Sequence, residues 1–148
     1  MWNESTPSMV IRVVLDSNIY IDALTQANLA CVQLVERHLT DFDVKVPLFA
    51  LLEAGRNLGR AKTQKLYSIL RKCEIEPDYQ LVPKELIQRY ERLGGKKGDA
   101  VIAAYTELIG ADYLVTQNRR FLKDVQNLPF TIIEAAQAIQ LVSPEEEG

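Results

Sequence analysis

Histidine is nearly absent from this chain, with His38 the only one among 148 residues, and cysteine occurs twice, at Cys31 and Cys73. Zinc sites built from four cysteines, from paired cysteines and histidines, or from several histidines are therefore excluded, as is a dense disulfide framework. A Ser-His-Asp triad would rest wholly on His38. Long apolar runs are missing too. The longest, at 46–52, has seven residues and contains Pro47, far short of the roughly 20 needed to span a bilayer. Residues 1–9 carry no basic side chain and no long apolar stretch, which argues against a secretory leader. Two cysteines that need no partner fit a reducing, cytoplasmic setting.

Carboxylates, by contrast, are plentiful: 20 Asp and Glu stand against 17 Lys and Arg, for a formal net charge of −3. At 16.8 kDa and 47% apolar residues, the composition suits one globular domain with a continuous core. Chemistry on such a chain would use oxygen ligands and a hard cation. The charge is unevenly spread. Residues 1–55 are net −4, residues 56–97 net +6, and residues 98–148 net −5. A basic middle between acidic flanks can mark a polyanion-binding surface beside a carboxylate cluster, although solvated faces of amphipathic helices give the same pattern.

The β-branched run VIRVVL at 10–15 reads as a buried strand, and Asp16-Ser17-Asn18 after it suits a helix start. A longer helix is expected to end near Thr40, followed by a brief strand at 44–46. Pro47 fits the first turn of a helix with Leu48, Leu51, Leu52 and Leu58 inward, and a second helix is expected over 61–73. Residues 74–82 read as irregular or extended. Further helices are expected over 84–93, ended by Gly94-Gly95, and from Gly98-Asp99 to about Ile109. A strand at 112–116, a short helix at 118–125 and a last strand at 130–133 complete the pattern. Strands alternating with helices predict an α/β fold, a three-layer α/β/α sandwich with a central parallel sheet. The expected limits are an extension at 1–9, one domain over 10–142 and an acidic tail at 143–148.

In open α/β sheets, sites form at the carboxyl ends of the strands. Asp16 follows the first strand directly, and Asn118 follows the strand that ends at Thr116. Glu53 and Asp99 each interrupt an otherwise apolar helix, where a lone carboxylate is costly to bury. Taken singly, Asp16, Asp99 and Asn118 could be helix caps, and Glu53 could pair with Arg56 or Asn57. Taken jointly, they converge on one edge. Clustered carboxylates repel one another, a cost that Mg2+ or Mn2+ removes, and such an ion also promotes hydrolysis of a phosphodiester.

The segments VVLDSNIYIDAL (13–24), LFALLEAGRNL (48–58) and KKGDAVIAAYTELIGADYLVTQNRRF (96–121) resemble the PIN domain. Within it they are most similar to the VapC-type ribonuclease toxins of toxin–antitoxin pairs. The resemblance covers nearly the whole chain, from Val10 to about Ile139. It implies a Mg2+- or Mn2+-dependent endoribonuclease, usually a homodimer, with an RNA substrate, an antitoxin protein as partner and no membrane association. It also places Asp16, Glu53 and Asp99 on the three acidic, metal-holding positions. Asn118 falls on the fourth, where the family has Asp or Asn, and would orient a water at the metal by hydrogen bonding. Thr116 matches the small hydroxyl residue two places earlier, and Ser17 would support the strand-to-helix turn. Arg56, Arg60, Lys62, Lys96 and Lys97 would flank the acidic edge and hold RNA phosphates. The competing readings are a PIN-fold module that binds RNA or protein without cleaving, and a receiver-like signalling domain. The latter normally needs paired acidic residues where Asp16-Ser17-Asn18 supplies one.

Overall fold

The computed structural model describes residues 10–118 and 120–143. Residues 1–9, Arg119 and 144–148, together with the Lys97 side chain, lie outside the described residues. The extension expected at 1–9 and all but Ser143 of the expected acidic tail therefore fall outside it as well.

The chain runs β1 (Arg12–Leu15), α1 (Ser17–Leu24), α2 (Leu29–Arg37), β2 (Asp43–Pro47), α3 (Leu48–Lys72), β3 (Pro77–Asp78), α4 (Lys84–Arg92), α5 (Lys97–Leu108), β4 (Tyr113–Val115), β5 (Thr131–Ile133) and α6 (Ala135–Val142). The strands form one sheet in the order β3-β2-β1-β4-β5, every neighbouring pair parallel. Alternation along β1 sends Val13 and Leu15 into one apolar cluster with Ile19, Leu34, Leu51 and Leu66, and Val14 into another with Ala100, Ala103, Tyr105 and Leu114. Helices α1, α2, α3 and α6 thus cover one face and α4 and α5 the other. This is the expected three-layer sandwich, and the continuous apolar run of β1 reflects burial on both faces.

Several elements differ from expectation. The helix expected to reach Thr40 stops at Arg37, and a 3-10 turn at Leu39–Asp41 follows. Pro47 closes β2 and precedes α3 rather than opening it. The two helices expected at 47–58 and 61–73 run on as α3, broken at Gly59, whose φ of 78° turns the path there. Among the described residues of 118–125, turns stand in place of the expected helix. There the Asn118 side-chain oxygen accepts the Arg120 N–H at 3.1 Å, and Leu122 takes a φ of 46°, off the helical path. Strand β3 and helix α6 were not anticipated. The first is a two-residue edge strand, where proline is tolerated. The second is started by a reciprocal capping box between Glu134 and Gln137. No helix among the described residues is long and apolar enough to cross a membrane.

The strand order sets the place of a site. From β1 the chain moves outward through β2 to β3, then returns to the other side of β1 for β4 and β5. The reversal leaves a crevice past the carboxyl ends of β1 and β4, where ligands bind in open parallel sheets. Asp112 lies at the opposite edge, exposed, its carboxylate accepting the Arg12 N–H at 2.9 Å.

Candidate active site

Asp16 stands in that crevice. Its backbone N–H donates to the Val115 carbonyl at 2.9 Å, joining β1 to β4 at their carboxyl ends. The side chain is buried, at 8% exposure. One carboxylate oxygen accepts the Ser17 N–H at 2.8 Å; the other accepts the Thr116 hydroxyl at 2.8 Å and the Asn18 Nδ2 at 3.3 Å. The polarity of this network is forced. Thr116 Oγ1 also receives the Asn118 N–H and the Asn18 Nδ2, each at 3.1 Å, and both can only donate. The Thr116 hydroxyl proton is left for Asp16. Asn18 is fixed as well, since its Oδ1 accepts the Gln117 N–H at 3.2 Å, so its Nδ2 must face Asp16 and Thr116.

Glu53 reaches the same place from α3. Its Oε1 accepts the Ser17 hydroxyl at 2.9 Å, so Ser17 bridges the two acidic segments. Its Oε2 lies over the start of α5, 3.6 Å from where a Cβ on Gly98 would be. The pairing considered for Glu53 is not made: Asn57 donates to its backbone carbonyl, and among the described residues Arg56 forms no ion pair with it. Asp99 sits in the first turn of α5, where the helix dipole favours an anion.

The three carboxylates act on one another. Burial pushes Asp16 up to about 6; the bonds from Thr116 and Ser17 pull it back, and repulsion from Asp99 and Glu53 adds to the rise. Asp99 is raised by burial and then by Glu53, against the attraction of Lys96. Among the described residues no three acidic, histidine or cysteine side chains close into a ready metal cage; Asp16 and Glu53 accept bonds from protein donors instead. The donor set nevertheless fits a hard divalent cation. It consists of oxygens only, is partly desolvated, and is mutually repelling. Mg2+ retains several of its waters and needs few direct protein ligands.

The remaining expected residues divide into two groups. Thr116 and Ser17 join the site directly. Asn118 is exposed; its Oδ1 accepts the Arg120 N–H, and its Nδ2 is a further donor. Lys96 is exposed and close enough to act on Asp99. Arg56, Arg60 and Lys62 are exposed on α3, and no hydrogen bond or ion pair among the described residues joins them to the carboxylates. The Lys97 side chain lies outside the described residues. His38 caps α2 and pairs with Asp41 at 2.9 Å, apart from this cluster. Asn18 is the residue that sequence reasoning passed over: it had been assigned only to the helix start, and its position two places after a strand-end Asp was the available signal.

The sequence pattern of the PIN domain family matches residues 13–127. Among solved structures, the chain is similar to one titled as VapBC2 from Rickettsia felis bound to a DNA fragment from their promoter. That likeness has a TM-score of 0.61 and 19% identity, over 84% of this chain and 98% of that one. PAE2754 from Pyrobaculum aerophilum is similar with a TM-score of 0.55 and 19% identity, over 93% of this chain and 100% of that one. At such identity the likeness is one of fold. No curated protein sequence matches significantly.

Proposed function

Since the chain belongs to the PIN domain family, we propose that it is a Mg2+- or Mn2+-dependent endoribonuclease and the toxin half of a toxin–antitoxin pair. PIN domains are typically nucleases and generally use divalent metal ions. The observation that carries the proposal is the convergence of Asp16, Glu53 and Asp99 at the β1/β4 crevice, where burial first, and the neighbouring carboxylates after it, disfavour charge on Asp16 and Asp99. Three partly buried carboxylates, with Lys96 acting on Asp99 among the described residues, are an unfavourable arrangement unless a cation joins them.

In this reading Asp16, Glu53 and Asp99 hold the ion, directly or through its waters. A bound Mg2+ or Mn2+ supplies Lewis-acid chemistry, acidifying water and stabilising charge on a phosphate oxygen. Thr116 and Asn18 fix the Asp16 carboxylate, and Ser17 fixes that of Glu53. The Asn118 Nδ2 donates to a water or phosphate oxygen at the mouth of the crevice. Lys96, Lys97, Arg56, Arg60 and Lys62 draw the RNA backbone toward the acidic edge by charge. A homodimer, an antitoxin partner, a cytoplasmic location and a domain over 10–142 belong to the same proposal.

The test is cleavage of single-stranded RNA by the purified chain in Mg2+ or Mn2+. Asp16→Ala and Asp99→Ala, folded by circular dichroism, should each lose cleavage. A wild-type chain that binds neither ion and cuts no RNA sinks the enzyme reading. The second reading, an RNA- or protein-binding PIN module, is favoured by Asn118 in place of a fourth acid and by the open carboxylate set. RNA binding without cleavage, unchanged in Asp16→Ala, would decide for it.

A further inference from the structure

Beside the carboxylates, past the end of β4 and along the edge strand β5, the surface opens into a cleft of about 540 Å3. Thr116 and Asn118 line it, and Thr116 is the residue bonded to Asp16 at 2.8 Å. The cleft therefore begins one side chain away from the site, and its volume falls within the roughly 300–1,000 Å3 of small-molecule pockets. Phe121, Leu122 and Phe130 contribute its apolar wall. Two amides stand on its rim with their orientations fixed. Asn118 Oδ1 accepts the Arg120 N–H at 3.1 Å, and Gln137 Oε1 accepts the Glu134 N–H at 2.9 Å. In both cases the oxygen already accepts a backbone bond, which turns the amide so that its NH2 group, with no hydrogen bond among the described residues, is the outward donor. The Glu134 carboxylate, also at the cleft, engages the first turn of α6 through the capping box.

We infer that this cleft is a subsite for the nucleobase next to the scissile phosphate, and that Gln137 selects a keto base, guanine or uracil. The inference rests on the nuclease reading above. A flat base suits an apolar slot rimmed by a few polar groups, and RNA is read by sequence mainly through such unstacked bases. A rim that offers NH2 donors pairs with carbonyl oxygens, O6 of guanine or O4 of uracil. Adenine and cytosine present amino groups at the same places, which would meet donor with donor.

Gln137→Glu isolates the claim. Glutamate keeps the oxygen that caps α6, since either residue serves in a capping box, but replaces the spare NH2 by an acceptor. Wild type and variant are each incubated with a randomised single-stranded RNA pool in Mn2+, and the bases flanking each cut are read. At one flanking position the wild type should prefer guanine and uracil by about fivefold or more. The variant, with an unchanged thermal melt, should lose or reverse that preference. A wild type without base preference, one preferring adenine or cytosine, or a variant with the wild-type profile overturns the subsite while the nuclease stands. Fluorescence anisotropy with labelled oligo-U and oligo-C in EDTA separates the two proposals. If no RNA is cut but oligo-U binds more tightly through Gln137, the nuclease reading fails and only keto-base recognition by the cleft is upheld; if neither preference nor cleavage is seen, both fall.

Discussion

Replacing Asp16 by Asn should flatten the pH dependence of stability in the metal-free chain. Burial, with repulsion from Asp99 and Glu53, raises the Asp16 pKa from 3.8 to about 6. A carboxyl whose pKa is higher folded than unfolded binds its proton more tightly in the native state. Its stabilising contribution is complete below pH 4 and is lost as pH rises through about 6. A rise of about two units amounts to roughly 3 kcal/mol at ~1.36 kcal/mol per unit, of which about 1.5 kcal/mol falls between pH 5 and 8. Asp99, also raised, adds in the same direction. Urea unfolding followed by circular dichroism in EDTA should show the wild-type midpoint falling by about 0.5–1 M over that range. Asp16→Asn should show a clearly smaller fall. The slope is the readout, because either orientation of the new amide sets its NH2 against a donor, the Ser17 N–H or the Thr116 and Asn18 pair, and lowers the variant's stability at every pH. Mn2+ at pH 8 should return the lost stability to the wild type and not to the variant. Equal slopes in the two proteins would refute the electrostatic reasoning.

Thr116→Val keeps the side-chain shape but removes the hydroxyl that donates to Asp16 and accepts from Asn18 and Asn118; a loss of about 2–3 kcal/mol is expected in chemical denaturation. Thr116→Ser should restore most of it. Asn18→Asp puts a second carboxylate against Asp16, so it should lower both melting temperature and cleavage further than Asn18→Ala; the opposite ranking contradicts the assigned polarity. Tyr20 is fully buried, and its hydroxyl has no hydrogen-bond partner among the described residues. Tyr20→Phe should therefore raise stability by about 1 kcal/mol in a thermal melt, and a marked loss would show that a partner had been overlooked.

Four of the five strands and the three acidic residues of the candidate site were legible because their signals are local. A β-branched run ended by Asp16, and single carboxylates at Glu53 and Asp99 within apolar helices, are visible without knowing the partners. Strand β3 is not local: two residues at Pro77–Asp78 become a strand only by pairing with β2. A short helix is expected at 118–125 after the strand that ends at Thr116. The Asn118 turn and the positive φ at Leu122 take the chain off a helical path there. Asn18 escaped because its partners, Thr116 and Gln117, lie 98 and 99 residues away along the chain. Local propensity explains its place at a helix start, and only the closed crevice explains why it must be an amide. Helix α6 was missed although its capping box is written in Glu134 and Gln137, a signal that lies in the sequence itself.

The central claim is that the carboxylates at the β1/β4 crevice serve a divalent cation in cutting RNA. Its most direct test compares the wild type with Asp99→Asn on single-stranded RNA in Mn2+, in Mg2+ and in EDTA, with the cleaved ends identified. The account predicts cleavage by the wild type in either ion and none in EDTA. It also predicts linear phosphate ends, because water is the nucleophile and the crevice offers no histidine to activate the 2′-hydroxyl. The folded variant should be inactive under all three conditions. Cleavage that persists in EDTA or in Asp99→Asn, or that leaves 2′,3′-cyclic phosphates, would contradict it.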